Sequence, residues 1–151
     1  MYLWWKLLHI LGALGFVGAH GATAGVALQL RRERDPVRVR ALLDLSRSTR
    51  SWMYVSLIVL IAGGIVTGFL GHFWGEGWIW AGLGLLLLLL VAAFPLAVPY
   101  YLRVRRAVEP GRETTSAELE ALLTSRRPIV IAVVQTIGIL MIVWLMVLKP
   151  F

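Results

Sequence analysis

The chain contains no cysteine, which excludes disulfide frameworks, thiolate metal sites, cysteine nucleophiles and haem attached through C-x-x-C-H. Charge is scarce: Asp, Glu, Lys and Arg make up 15% of the 151 residues, against about 25% in soluble domains. None of the eight acids falls inside a long apolar stretch, so paired-carboxylate acid/base chemistry has no candidates there. No Walker-type glycine loop is present, because Gly71, Gly75 and Gly77 lack the strand and helix context such a loop needs. A Ser/His/Asp triad has no plausible assembly, and the apolar stretches show none of the polar rings that line a selective pore.

What the chain does have is hydrophobic length, with 59% apolar residues arranged in blocks. Four blocks stand out, at residues 3–30, 52–71, 78–102 and 128–148. Each reaches about the 20 residues that a helix needs to cross a ~30 Å hydrocarbon layer. Four such blocks in so short a chain leave no soluble surface to enclose them. The expected fold is therefore all-α, an antiparallel bundle of four transmembrane helices in one integral membrane domain, residues 1–151. The first block is too long for a signal-peptide h-region and runs into Arg31-Arg32-Glu33-Arg34, so it reads as a retained helix.

The cations are unevenly placed. Thirteen of fifteen Lys and Arg lie in the first and third connections, leaving only Lys6 and Lys149 at the opposite end. The positive-inside rule then puts both arginine-rich loops in the cytoplasm of a bacterial-type inner membrane, with both termini outside. The net charge of +7 is thereby a topology signal and an anionic-lipid contact, and nucleic acid is not an expected partner. Asp35-Pro36 reads as a helix N-cap and first position, with Val39, Leu42, Leu43 and Ser46 at helical spacing. No Gly or Pro occurs between positions 37 and 62, so this helix is expected to run on into the second span. Thr115 and Glu118 match a capping box ahead of an apolar stripe at Leu119, Leu122 and Leu123, and Pro110-Gly111 is expected to end the third helix. Both loop segments are expected to be short amphipathic helices lying on the membrane surface. Trp4, Trp5, Trp74, Trp78 and Trp80 cluster at the other boundary as an aromatic belt.

An ionisable side chain within a span is costly and is by default a functional candidate. His9 and His20 occupy the first span, eleven residues apart. At ~100° and 1.5 Å per residue they project within about 20° of each other, roughly 16 Å apart in depth. Histidine is a usual nitrogen ligand to haem iron, and bundle cores hold cofactors between facing helices. A haem near the outer surface would use His9 with His72 or Met141, or His9 alone. His20 lies near the level of Gln135 and Thr136, as a second haem ligand or a polar relay. The first helix is also rich in small residues, Gly12, Gly15, Gly18, Gly21 and Gly25 among them, which admit either a flat macrocycle or a closely packed helix.

Two segments resemble a known group. The start Tyr2-Leu3-Trp4-Trp5-Lys6-Leu7-Leu8-His9-Ile10, the ending Lys149-Pro150-Phe151 and the middle segment Gly77-Trp78-Ile79-Trp80-Ala81 resemble the haem-dependent membrane protoporphyrinogen oxidases of bacteria. That resemblance implies four spans, a haem site involving His9, and redox work. The family's third-helix lysine, linked to its activity, is replaced here by Gly82. The segments Gly18-Ala19-His20-Gly21 and residues 31–46 look closer to an uncharacterised family of predicted four-span integral membrane proteins. The stretch Leu8-His9-Ile10-Leu11-Gly12 also has a distant likeness to membrane domains of the copper-resistance export type.

The leading expectation is a protein binding haem b, passing electrons to or from a quinone or oxidising a porphyrin-like substrate. The alternatives are copper or other metal-ion binding or transport through His9, His20, His72 and the methionines, and a non-catalytic assembly partner, including a homo-oligomer formed through the small-residue face of the first helix.

Overall fold

The computed structural model describes residues 1–109 and 116–151, and contains helices and no strands among them. The first helix, α1, runs Tyr2–Leu30, and α2 runs Pro36–Leu70 without interruption. A single 3-10 turn, Phe73–Gly75, leads to α3, Gly77–Ala107, followed by the short α4, Ser116–Leu123, and α5, Arg127–Leu148. Four stretches are long and apolar enough to cross a membrane, the fourth taking in α4 and α5 together. The proposed capping residue Thr115 and the Pro110-Gly111 stop lie outside the described residues.

The start of α2 follows from its sequence. The Asp35 carboxylate accepts the Val37 backbone N–H at 2.9 Å, and Pro36 fills the first position, where its missing N–H costs nothing. With no helix breaker until Gly63, the amphipathic segment and the second span form one helix of 35 residues. In α3, Pro95 and Pro99 sit inside the helix, and the Pro99 carbonyl accepts the Arg103 Nε–H at 3.1 Å.

The helices pair as two hairpins. The most extensive contact is between α1 and α2, the next between α3 and α5, and the two hairpins touch mainly where α1 meets α5. Small residues set the α1–α2 spacing. A Cβ on Gly12 would stand 2.5 Å from the Leu60 backbone nitrogen, and one on Gly63 2.8 Å from the His9 nitrogen. In lipid, where side chains gain little by leaving the solvent, such backbone-to-backbone approach is the main source of helix association. In the second hairpin, Leu89 of α3 lies over Gly138 of α5, and the Gln135 Nε2 donates to the Leu89 carbonyl at 2.8 Å.

The loop helices differ from the surface-lying arrangement expected of them. Val39 and Leu43 at the start of α2 pack with Val26 and Leu30 of α1, Tyr100 and Val104 of α3, and Leu119 and Leu123 of α4. Leu30, Val39, Val104 and Leu123 are fully enclosed. The physical reason is geometric: the ends of α1, α2 and α3 converge with α4 here, so their apolar stripes cover one another. The main buried core thus sits at the arginine-rich end of the bundle.

At the opposite end the chain terminus closes on α3. The Phe151 carbonyl accepts the Trp78 backbone N–H at 3.1 Å, and the Lys149 ammonium lies 4.5 Å from the Phe73 ring centroid and 5.4 Å from that of Trp78. Trp78 is only 5% exposed, so it belongs to this packed corner and not to a lipid-facing belt. Trp4 and Trp80 are exposed as a belt requires.

Candidate functional site

Pitch alone aligns the two span histidines, but the helices around them separate their roles. The His9 ring lies against the glycine notch of α2, where a Cβ on Gly64 would come within 2.9 Å of its Nδ1 and Cε1. Its Nδ1 is 2.7 Å from the Leu60 carbonyl oxygen. A carbonyl only accepts, so Nδ1 carries the proton, and in the neutral ring Nε2 holds the lone pair. This is the arrangement by which ligating histidines are oriented, and equally an interhelical hydrogen bond in its own right.

His20 meets a different neighbour. Its ring stands by the Ala132 backbone of α5, and its Nε2 is enclosed without a hydrogen-bond partner. Next to it, one turn further along α1, opens a groove of about 230 Å³ between α1 and α5. The walls are Ala24, Ala27, Leu28, Ala132, Val133 and Ile137, with Thr136 as the one hydroxyl. Leu28, Val133 and Ile137 are about half exposed, so the groove is open along one side. The alanines on both helices are too short to fill the space between the hairpins here, in contrast to the glycine-tight seam of α1 and α2.

The remaining candidates are dispersed. His72 is exposed in the turn after α2, with a left-handed backbone (φ 56°). Met141 is 52% exposed on α5. No group of three or more His, Asp or Glu side chains converges among the described residues. Gln135, expected at the level of His20, is taken up by Leu89 in the α3–α5 seam, while Thr136 does line the groove beside His20. Gly82 packs on Met146, whose Cε would lie 2.7 Å from an added Cβ. Sequence reasoning missed Leu60, because a backbone acceptor leaves no trace in residue type.

Four long apolar helices, with charge gathered at their ends and in the connections, define an integral membrane protein. The chain belongs to the family described as "predicted integral membrane protein (DUF2269)", which matches residues 3–150. No curated protein and no solved structure matches it. The family match agrees with the likeness read from Gly18-Ala19-His20-Gly21 and residues 31–46, and does not extend to the protoporphyrinogen oxidases.

Proposed function

We propose that this protein binds a flat, apolar prosthetic group at the α1–α5 groove, with haem b as the group and electron transfer with a quinone or porphyrin-like substrate as its role. The observation that carries the reading is the His20 Nε2, enclosed without a hydrogen-bond partner beside the Ala132 backbone, Ala132 itself being one wall of the apolar groove. An imidazole buried in that way is expensive unless something claims it. The donor chemistry fits haem iron, and a ligand larger than the 230 Å³ groove would extend through its open side. Bound haem supplies a one-electron couple whose potential depends on ligand identity and burial. His9 is oriented by Leu60 with Nε2 as its free donor, roughly 16 Å from His20 along the helix. One iron cannot take both, so His20 is the ligand in this reading and His9 fixes α1 against α2. Copper transport has less support, because the three histidines are scattered.

The test is the visible spectrum of protein purified from haem-replete cells, before and after dithionite. The expected result is a Soret band and reduced α/β bands that His20→Ala abolishes and His9→Ala leaves in place. A colourless wild-type preparation overturns the reading.

In the same proposal the arginine-rich end faces the cytoplasm of a bacterial inner membrane, with both termini outside. Alkaline phosphatase fused after Phe151 is then active, and a green fluorescent protein fused there is dark. A second reading, assembly with another subunit or a second copy, draws on Gly18, Gly21 and Gly25, around which nothing lies within 4 Å of an added Cβ. Gly18→Leu then disrupts cross-linked oligomers while leaving the spectrum unchanged.

A further inference from the structure

A second recess lies at the arginine-rich end, between α2 and α3, with a volume of about 140 Å³. Its polar rim is formed by Ser46, Arg47, Arg50, Tyr101 and Arg105. Leu43, Val98 and Leu102 make the apolar part of its wall. Three features set it apart from an ordinary basic surface. Arg105 is ion-paired to Asp44 at 2.6 Å, yet Arg47 and Arg50 have no ion-pair or hydrogen-bond partner among the described residues. The Ser46 side chain, 2% exposed, lines the recess with its Oγ unpartnered. Finally, Arg50 is the last cation before the second span, while Tyr101 and Leu102 directly precede Arg103. The recess therefore stands at the level where acyl chains give way to headgroups.

Two guanidinium groups without a protein partner leave their donors available to an anion, and their planar forks suit phosphate oxygens. A hydroxyl donor beside them adds a third contact. The apolar wall immediately below is superfluous for a free ion but suits the glycerol and upper acyl carbons of a lipid. Basic recesses between transmembrane helices are a known form of headgroup site. We infer that this recess binds the phosphate of one anionic phospholipid, held by Arg47, Arg50 and the Ser46 hydroxyl, with Tyr101 and the Leu43–Leu102 wall against its glycerol end. The inference is independent of any haem.

The experiment is native mass spectrometry of the full chain in detergent, titrated with phosphatidylglycerol, phosphatidylcholine or inorganic phosphate. One phosphatidylglycerol per chain is expected, at least about tenfold tighter than phosphatidylcholine, with no displacement by millimolar inorganic phosphate. Arg47→Gln with Arg50→Gln is expected to weaken that adduct about tenfold or more, while the paired Arg→Lys changes, which keep the charge but lose the fork, weaken it about threefold. Arg32→Gln with Arg126→Gln removes the same charge from exposed positions at the same end and should leave the adduct in place. Equal loss in both Gln pairs overturns the site in favour of diffuse surface attraction. Equal affinity for phosphatidylcholine, or displacement of the lipid by inorganic phosphate, overturns the assignment of an anionic lipid. A thermal melt of each variant separates loss of the site from loss of fold, and the Arg→Lys pair keeps the test decisive if the Gln pair fails to fold.

Discussion

His9 of α1 donates its Nδ1–H to the Leu60 carbonyl of α2 at 2.7 Å, across a seam that glycines on both helices make narrow. The bond is possible only because Gly63 and Gly64 present no side chain: a Cβ on either would stand within 3 Å of His9 atoms. Hydrogen bond and close packing are therefore one feature, and His9→Ala should loosen the hairpin. Interhelical hydrogen bonds in membranes contribute about 0.6 kcal/mol on average and up to about 1.7. A detergent melt followed by circular dichroism should show a loss in that range, and an unchanged midpoint would remove the bond from the account of stability.

The glycines of α1 make a sharper contrast. Gly12→Ala places a methyl 2.5 Å from the Leu60 backbone, where no side-chain rotation can relieve it. The same change at Gly18 or Gly25 meets nothing within 4 Å and raises helix propensity. Gly12→Ala should therefore destabilise by about 1–3 kcal/mol, as overpacking does. Gly18→Ala should be neutral or slightly stabilising in the same melt, and equal effects at the two positions would contradict the helix pairing described here.

These contrasts mark the limit of what residue types reveal. The spans were legible because apolar length has only one solution in a bilayer, and the continuity of α2 because no breaker interrupts it. Asp35-Pro36 likewise carries its own capping chemistry. The fates of Gly12 and Gly18 were not legible: both are glycines on one helix, and only the position of α2 distinguishes them. His9 and His20 share a projection by pitch, yet one meets α2 and the other α5, since pitch fixes direction about a helix and says nothing of its neighbours. The stripe at Leu119 and Leu123 is visible in the sequence, but residue type cannot tell lipid from protein as its partner, and the partner is protein.

Glu33 gives the arginine-rich end a pH dependence. Its carboxylate accepts the Asp35 backbone N–H at 3.1 Å and that of Arg34 at 2.9 Å, which hold its pKa below the ordinary 4.5. Arg38 and Arg34 add to the effect. A depressed carboxylate stabilises the fold above its unfolded value and loses that contribution as pH falls through its folded value. The turn between α1 and α2 should therefore weaken as pH drops below 4.5. In a melt series from neutral to acidic pH, Glu33→Gln should flatten this part of the acid dependence, and an unchanged acid limb would refute the role.

Leu123 of α4 and Leu88 of α3 test where the core lies. Leu123 is fully enclosed with Val39, Val104 and Leu30 at the arginine-rich end, whereas Leu88 is 62% exposed in the middle of an apolar helix. Both are leucines in apolar stripes, so residue type predicts the same cost for each. Solvent predicts otherwise. Leu123→Ala leaves a void in a closed core and should cost about 2–5 kcal/mol, the usual range for such truncations. Leu88→Ala exchanges contact with lipid for contact with lipid, because acyl chains are as apolar as leucine, and should change stability little. The difference should persist in detergents of different chain length, since α4 packs on protein and not on the micelle. A larger loss at Leu88 than at Leu123 would mean that α4 lies on the bilayer surface after all, with its stripe facing lipid.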